Sequence, residues 1–510
     1  MLRAPLPDLD RDAGVSLAAQ IAAHYAEAIR GGQMRPGDRL PPIRDVARAC
    51  DVTRTTVQQA YRELATRGLV EGTVGRGTSV VGQGKHATRR GGKAKAASTE
   101  TPGAASRTLS SYAEAALRRS QEMPGPPRLD EGRELVANFA ELAPDGERFP
   151  VDEWRAAMDA VLKERGSELL GYGNATNGLP ELRTMLAERM RDIDPRATAD
   201  DVLVTAGAQQ ALDLVLRTFC APGDAVIVTS PSYHQMHGLL RAHGLQVLQV
   251  PFGADGLDGE KLANALRRDN VRLLYLMPTF HNPTGRSLDL AQRRALVETV
   301  RDTSVPIVED EYQHSLRFRG KALPTLRSLD PRGLTVTVAT VSKELFPALR
   351  IGWLHAAPDL LRPMAAVKRF MDLETSPLLQ AALVEFVRRG GLDRHLDALR
   401  DELHRRHDAL QRAVREHLPE ECTVTAPDGG FVAWLELPGA GQGDRLAELA
   451  RERGVRVVPG RVFDLNARPS RGVRLSLTRA DHRRIDAGLR ILGQCAREIV
   501  RAPAPAIPFV

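Results

Sequence analysis

The stretch Thr340-Val341-Ser342-Lys343-Glu344-Leu345-Phe346-Pro347-Ala348-Leu349-Arg350-Ile351-Gly352-Trp353 decides how the larger part of this 510-residue chain is read. It closes a β-branched apolar run, Leu334 to Val341, of the kind that forms a buried strand. A lysine, two hydroxyls and, seven residues after the lysine, an arginine therefore fall at the carboxyl end of a strand. Five strand-like runs precede it: Asp201 to Thr205, Ala225 to Thr229, Gln246 to Val250, Val271 to Met277 and Val305 to Glu309. Helical stretches begin at Ala208 and run past Tyr233. Such alternation predicts a largely parallel sheet with helices on both faces, and ligands in such sheets sit beyond the carboxyl ends of the strands.

The other runs also end in chemistry. The first leads into Ala206-Gly-Ala-Gln-Gln210, where the backbone N–H groups of Ala208 and Gln209 open a helix and favour a phosphate. The second leads into Ser230-Pro-Ser-Tyr233, an aromatic ring able to stack on a planar heterocycle. After the fourth comes His281-Asn-Pro-Thr-Gly285, which holds the Asn282 amide in a turn, and after the fifth Glu309-Asp-Glu-Tyr312, a carboxylate (Asp310) and a phenol two residues apart. A lysine forms a Schiff base with an aldehyde, a carboxylate keeps a pyridine nitrogen protonated, and Tyr and Asn donors bind a ring oxygen. Arg350 with the hydroxyls of Thr340 and Ser342 neutralises a phosphate. Singly, each residue has an ordinary explanation: Lys343 on the surface, Asp310 as a cap, Tyr312 in packing. Six of them in order at strand ends do not.

The amino-terminal part is of another kind. Leu17, Ile21, Tyr25 and Ile29 recur every fourth position behind Ser16, a helix that Gly31-Gly32 ends. A loop at Arg35-Pro-Gly-Asp-Arg39 precedes a short helix over Pro42 to Ala49; a third begins at Thr53 with Val57, Tyr61 and Leu64 on one face and Gly68 as its stop. Leu69-Val70-Glu71 and Thr78 to Val81 flank the loop Gly72 to Gly77 as a hairpin. The sum is a winged helix-turn-helix. Its third helix opens with Thr53, Arg54, Thr55 and Thr56 and continues to Gln58: hydroxyls for phosphates, a guanidinium and an amide for base edges. Arg76 stands at the tip of the wing.

Composition sets limits. With 42% apolar and 26% charged residues the chain reads as soluble and globular, and its length calls for two or more domains. No run approaches the roughly 18 apolar residues of a membrane span, and Met1 to Arg11 lacks a signal peptide's apolar stretch, so no membrane partner and a cytoplasmic location are expected. Cys50, Cys220, Cys422 and Cys495 form no CxxC pair, which argues against disulfides and against a metal site. Lys85, Arg89, Arg90, Lys93 and Lys95 stand without an acidic residue between 83 and 99, a flexible tether that either is merely solvated or also touches phosphates. The expected domains are 13–82 (winged helix-turn-helix), 83–130 (flexible basic linker, with one helix near Tyr112 to Ser120) and 131–500.

From Ser16 to Val81 the chain resembles the DNA-binding domain of the GntR family, through Pro36-Gly-Asp-Arg-Leu-Pro41, Arg44, Thr53-Arg-Thr-Thr-Val57, Tyr61, Leu64, Gly68 and Gly75-Arg-Gly-Thr78. The resemblance implies DNA contacts by Arg44, Arg54, Thr55, Thr56, Gln58 and Arg76. From about Val136 to Arg497 the chain resembles the fold-type I aminotransferases, through Asn282-Pro-Thr-Gly285, Asp310-x-Tyr312, Ser342-Lys343 and Arg350. That implies an α/β domain binding pyridoxal 5′-phosphate, with Lys343 as the Schiff-base lysine, Asp310 as partner of the pyridinium nitrogen, Tyr312 and Asn282 on the ring hydroxyl, and Tyr233 stacked on the ring. Ala208, Gln209, Ser342 and Arg350 would cradle the phosphate. Arg474, in Val473-Arg-Leu-Ser476, resembles the arginine that receives an amino acid's carboxylate, and Tyr172, in Gly171-Tyr-Gly173, resembles the residue that reaches a partner subunit's site.

The fusion resembles the MocR-like branch of GntR-type regulators. It implies a head-to-tail homodimer on double-stranded DNA with paired half-sites, and a large domain that senses an amino compound or pyridoxal 5′-phosphate itself rather than serving as an enzyme. In the γ-aminobutyrate-responsive type an arginine sits two residues after the stacking tyrosine; here that position is Gln235, which argues against an identical effector. Two other readings compete: an active aminotransferase with an accessory DNA-binding domain, and a DNA-binding protein without sequence preference.

Overall fold

The computed structural model describes residues 7, 9, 17–30, 33, 34, 38–66, 69–73, 77–80, 109–122, 135–173 and 175–501. The chain divides into two units, Met1–Glu100 and Thr101–Val510.

The first unit holds helices Leu17–Arg30, Ile43–Ala49 and Arg54–Thr66 and strands Val70–Thr73 and Gly77–Val80. Val57, Ala60, Tyr61 and Leu64, spaced as one helical face, are buried against Ile21, Ala22 and Tyr25 of the first helix and Val46 of the second. The Tyr61 hydroxyl donates to Pro41 O at 2.8 Å, and its ring meets Tyr25 edge-on at 5.9 Å. Asp51, at φ +49°, turns the chain between the second and third helices. Thr53 lies one residue before the third helix and caps it, its hydroxyl accepting from Thr56 N–H at 3.2 Å. The two strands pair antiparallel with Val70 opposite Val80. The described end of the loop expected at Arg35 to Arg39 meets the wing through an isolated antiparallel bridge of Arg39 with Ser79: Leu40 N–H donates to Thr78 O and Val80 N–H to Asp38 O, each at 2.8 Å. Ser16, Gly31, Gly32, Gly68 and Arg76 lie outside the described residues.

The second unit is built on an 8-stranded sheet. Its strands run in the order Val202–Thr205, Gly352–His355, Thr335–Thr340, Ile307–Asp310, Val271–Leu276, Ala225–Ser230, Gln246–Gly253, Gly256–Leu257. The five from Thr335–Thr340 to Gln246–Gly253 are mutually parallel. Two members are unforeseen: Gly352–His355, inserted antiparallel between Thr335–Thr340 and Val202–Thr205, and the edge strand Gly256–Leu257, antiparallel to Gln246–Gly253. The central strands are buried on both faces, which explains their uninterrupted apolar reading. Burying each such Val, Ile or Leu contributes about 1.5–3 kcal/mol.

A second, smaller sheet joins Thr423–Val424, Val432–Glu436, Gly472–Ser476 and Val458–Pro459. The final helix, His482–Arg501, covers its core with Ile485, Leu489, Leu492, Ala496 and Ile499. The long helix Gly391–His417 serves both cores, with Leu392, Leu396 and Leu403 in the first and Ala409, Leu410 and Ala413 in the second. Strand Ala137–Asn138 pairs with Val455–Arg456 and carries the following residues to the mouth of the site.

The helix expected near Tyr112 to Ser120 is present as Ser111–Glu122. Rather than hanging in a flexible stretch, it packs on helix His234–Ala242, with Tyr112 edge-on to His243 at 5.3 Å and under the Arg217 guanidinium at 5.8 Å. All four cysteines are free thiols, and no helix among the described residues is long and apolar enough to cross a membrane.

Candidate functional site

The carboxyl ends of the parallel strands converge on Lys343. Its turn is held by Ser342 N–H on Thr340 Oγ1 at 3.1 Å and by Val341 N–H on Ile351 O at 3.2 Å. The Lys343 amine is largely enclosed and donates to Leu142 O at 2.7 Å. Burial, with the Arg474 and Arg350 guanidiniums nearby, pushes its pKa down to about 8.

Asp310 is the last residue of its strand and is buried. Tyr275, from the neighbouring parallel strand, donates its hydroxyl to Asp310 Oδ2 at 3.0 Å. Asp310 Oδ1 is buried and has no hydrogen-bond partner among the described residues. Burial pushes the carboxyl up to about 7; the Tyr275 hydrogen bond opposes the rise and Glu311 adds to it.

Tyr233 stands at the amino-terminal boundary of helix His234–Ala242. Burial and the Asp310 charge push its phenol up to about 12, while Arg474 and Arg350 act the other way, so the ring is within electrostatic reach of all three. Tyr312 is buried; its hydroxyl lies 3.4 Å from Phe280 O and accepts from Gln313 Nε2. Asn282 Oδ1 accepts from Arg474 Nη1 at 3.2 Å, which orients the amide so that its NH2 group is the free end. Arg474 comes from the smaller sheet, opposite Trp434, donates Nη2 to Ala140 O at 2.7 Å and lies 5.2 Å from the Phe463 ring centre. Its Nε is buried without a partner among the described residues, and burial lowers its pKa to about 10.

Helix Ala208–Phe219 presents its amino terminus here, with Gly207 at φ +91° as its cap. The Gln209 side chain is exposed, so the phosphate role assigned to it falls on backbone N–H. Arg350, itself left-handed at φ +50°, donates Nη2 to Ala206 O at 3.0 Å. A Cβ on Gly207 would meet that nitrogen at 2.6 Å, and one on Gly352 would meet Ala208 N at 2.8 Å. Both glycines keep open the space beside the helix terminus. The Thr340 hydroxyl lies 2.9 Å from Ile351 O and 3.0 Å from Ser342 Oγ, and so positions Ser342.

A pyridoxal phosphate fits this arrangement on two counts: a buried carboxylate oxygen lacks the donor that a pyridinium supplies, and a guanidinium stands beside helix N–H groups where a phosphate is favoured. Tyr172 does not join the cluster. It is 82% exposed, on a loop pinned by Gly173 N–H to Glu374 Oε1 at 2.8 Å. Residues missed in the sequence are Tyr275, Gln313 and the carbonyls of Ala140 and Leu142.

In the first unit Thr53, Arg54, Thr55 and Gln58 are exposed on the face of the third helix opposite its core, with Thr56 half-buried. Arg44 is exposed on the second helix and sits 3.3 Å from Asp45.

Residues 136–491 match the family model of class I and II aminotransferases, and residues 17–80 match that of the gntR family of bacterial regulatory proteins. Aromatic-amino-acid aminotransferase 1 of Thermococcus litoralis is 31% identical over 71% of this chain and 88% of its own. The probable rhizopine catabolism regulatory protein MocR of Rhizobium meliloti is 28% identical over 95% of this chain and 94% of its own. Among solved structures, LysN, the α-aminoadipate aminotransferase of Thermus thermophilus, in complex with N-(5′-phosphopyridoxyl)-L-leucine, is 31% identical with a TM-score of 0.68, covering 78% of this chain and 99% of its own. One kind of relative matches the larger unit alone, whereas MocR spans both parts. The chain thus belongs to the class I and II aminotransferase family by its larger unit, to the gntR family by its amino-terminal unit, and by their fusion to the MocR-like GntR-type regulators.

Proposed function

We propose that this regulator binds pyridoxal 5′-phosphate through Lys343 and uses it to sense an amino compound, or the cofactor itself. The observation that carries the reading is Asp310 Oδ1, a buried carboxylate oxygen with no partner among the described residues, at the end of a strand parallel to the one that leads to Lys343. When bound, the cofactor supplies an aldehyde for a lysine and a protonated ring that withdraws electrons. Asp310 holds the ring proton and Tyr275 fixes the carboxylate. Lys343, uncharged in roughly one molecule in ten at pH 7, is the nucleophile. The N–H groups of Ala208 and Gln209, with Ser342 and Arg350, bind the phosphate. Tyr233 covers the ring, and Asn282 with Tyr312 faces its hydroxyl. Arg474 receives the carboxylate of an amino compound.

The outward polar face of the third helix supports double-stranded DNA as the macromolecular partner, read by Arg54 and Gln58 and gripped through Arg44, Thr53, Thr55, Thr56 and Arg76. Exposed Leu170, Tyr172 and Leu373 lie on both sides of the contact between Gly173 and Glu374, which supports a homodimer in which Tyr172 serves the second copy's site. In this reading the protein works in the cytoplasm on paired half-sites, and any transamination is incidental.

Full-length protein mixed with pyridoxal 5′-phosphate should gain a visible band that Lys343→Ala abolishes, and should footprint a discrete site in its own upstream region. The intact site favours a second reading, an active aminotransferase. Enzyme-like turnover of common amino donors, with no affinity for that region, would establish it instead.

A further inference from the structure

A second cleft, of about 270 Å³, lies behind the Lys343 turn. Met185 and Met190 line it from helix Pro180–Met190, Leu392 and Arg400 from the long helix, and Arg317 and Trp353 close it. We propose that this cleft is a second small-molecule site, specific for a carboxylate with an apolar body. The body lies against Met185, Met190 and Leu392, and the carboxylate accepts from Arg317 and the Trp353 indole.

Two donors motivate the assignment. Trp353 is 4% exposed and its indole N–H is buried without an acceptor among the described residues; Arg317 Nη2 is in the same condition. Buried donors without acceptors are costly, and a carboxylate satisfies both. The other cations at the cleft are committed: Arg400 donates to Ser315 O and Asp397, and Arg189 to Asp393. Arg317 uses Nη1 alone, on Arg319 O at 3.4 Å and toward Asp428, 3.8 Å away and 59% exposed, which leaves Nη2 for a ligand. Of the acidic lining groups, Glu344 is occupied by the Ser315 hydroxyl and Asp192 is exposed.

The cleft shares walls with the cofactor site. Val341 and Glu344, both lining residues, flank Ser342 and Lys343 in sequence. Arg317 covers the Phe280 ring at 4.9 Å, and Phe280 O accepts from Gln313 Nε2 at 2.9 Å beside the Tyr312 hydroxyl. An anion drawing on Arg317 therefore acts on the Tyr312 side of the site as well as on the lysine turn. The binding claim stands alone; this coupling rests on Lys343 being the cofactor lysine.

Isocaproate is the probe, since it has no amine to react with an aldehyde. Calorimetric titration of the full chain should show saturable binding at one site per chain. Arg317→Gln should weaken it about tenfold or more, as loss of a charge-assisted hydrogen bond does. Ala322→Trp, at an exposed lining residue, should weaken it similarly by filling the mouth. Lys343→Ala and Arg474→Ala should leave it within about twofold, a change too small to be a lost hydrogen bond. Absence of saturable binding would overturn the proposal, as would binding that survives Ala322→Trp but disappears in Arg474→Ala. In cofactor-loaded protein isocaproate should shift the visible band; an unmoved band with normal binding would overturn the coupling. No band at all would overturn the cofactor reading and leave the calorimetric result standing.

Discussion

Arg350 occupies the space that a side chain on Gly207 would need, its Nη2 lying 2.6 Å from the position of a Cβ there. Gly207→Ala should strain the left-handed backbone by about 1–3 kcal/mol and push the guanidinium off the helix terminus. Affinity for pyridoxal 5′-phosphate, followed by visible absorbance, should fall about tenfold or more. DNA binding by the cofactor-free protein should persist in a gel-shift assay. Unchanged cofactor affinity would remove Arg350 from the phosphate site.

Lys343 sets a pH dependence. Its charged form is disfavoured by burial and by two guanidiniums, so the reactive amine appears at lower pH than for a free lysine. The rate of cofactor capture should rise between pH 6 and 9 with a midpoint near 8. Removing one positive neighbour with Arg474→Ala should move that midpoint upward, which stopped-flow absorbance would read.

Tyr275→Phe deletes the side-chain donor to the Asp310 carboxylate and leaves the Tyr312 backbone N–H in place. Loss of this buried bond should cost about 1–3 kcal/mol in chemical denaturation. It should also raise the Asp310 pKa further, because the Tyr275 bond now holds it down. The cofactor's absorbance should then titrate at a different pH, while a merely structural role would leave the titration unmoved.

In the amino-terminal unit two neighbours should behave differently. Thr53→Ala removes the cap of the third helix and should cost about 0.5–2 kcal/mol of stability. Arg54→Ala, on an exposed side chain, should leave stability alone and cost about 1–3 kcal/mol of binding at a specific site. An equal loss on random DNA would show that Arg54 grips phosphate only.

His281 and His407 are held neutral by burial, pushed down to about 3 and about 4. Their folded-state pKa values lie below the unfolded ones, so the stability they contribute is present above about pH 6.5 and is lost as the pH falls through about 4 to 3. Urea midpoints measured at descending pH should therefore decline below about 6.5, the ordinary histidine range.

The central strands were legible because burial on both faces leaves unbroken apolar runs, and each run ends where the chain must turn toward the ligand. Gly352–His355 was not, because its four residues read as the tail of the lysine motif and nothing local marks an antiparallel insertion. Asp38 and Arg39 were read as the end of a loop because Pro-Gly-Asp favours turns, yet the wing supplies partners for the backbone there. Tyr275 sits in an apolar run, where a phenol looks like packing. Arg474 meets Asn282 across 192 residues, a distance over which only resemblance pointed to it. The carbonyls of Ala140 and Leu142 belong to the main chain, which has no residue type to betray it.

Helix Ser111–Glu122 is attached through Tyr112 to His243, which caps the end of the helix that Tyr233 opens, and to Arg217 of helix Ala208–Phe219. One edge-on ring pair and one cation over a ring are worth about 1–3 kcal/mol together. Amide hydrogens of residues 111–122 should therefore exchange with solvent far sooner than those of the 8-stranded sheet. On that expectation the attachment should open and close many times for each opening of the sheet, which makes its lifetime the faster of the two clocks in this unit.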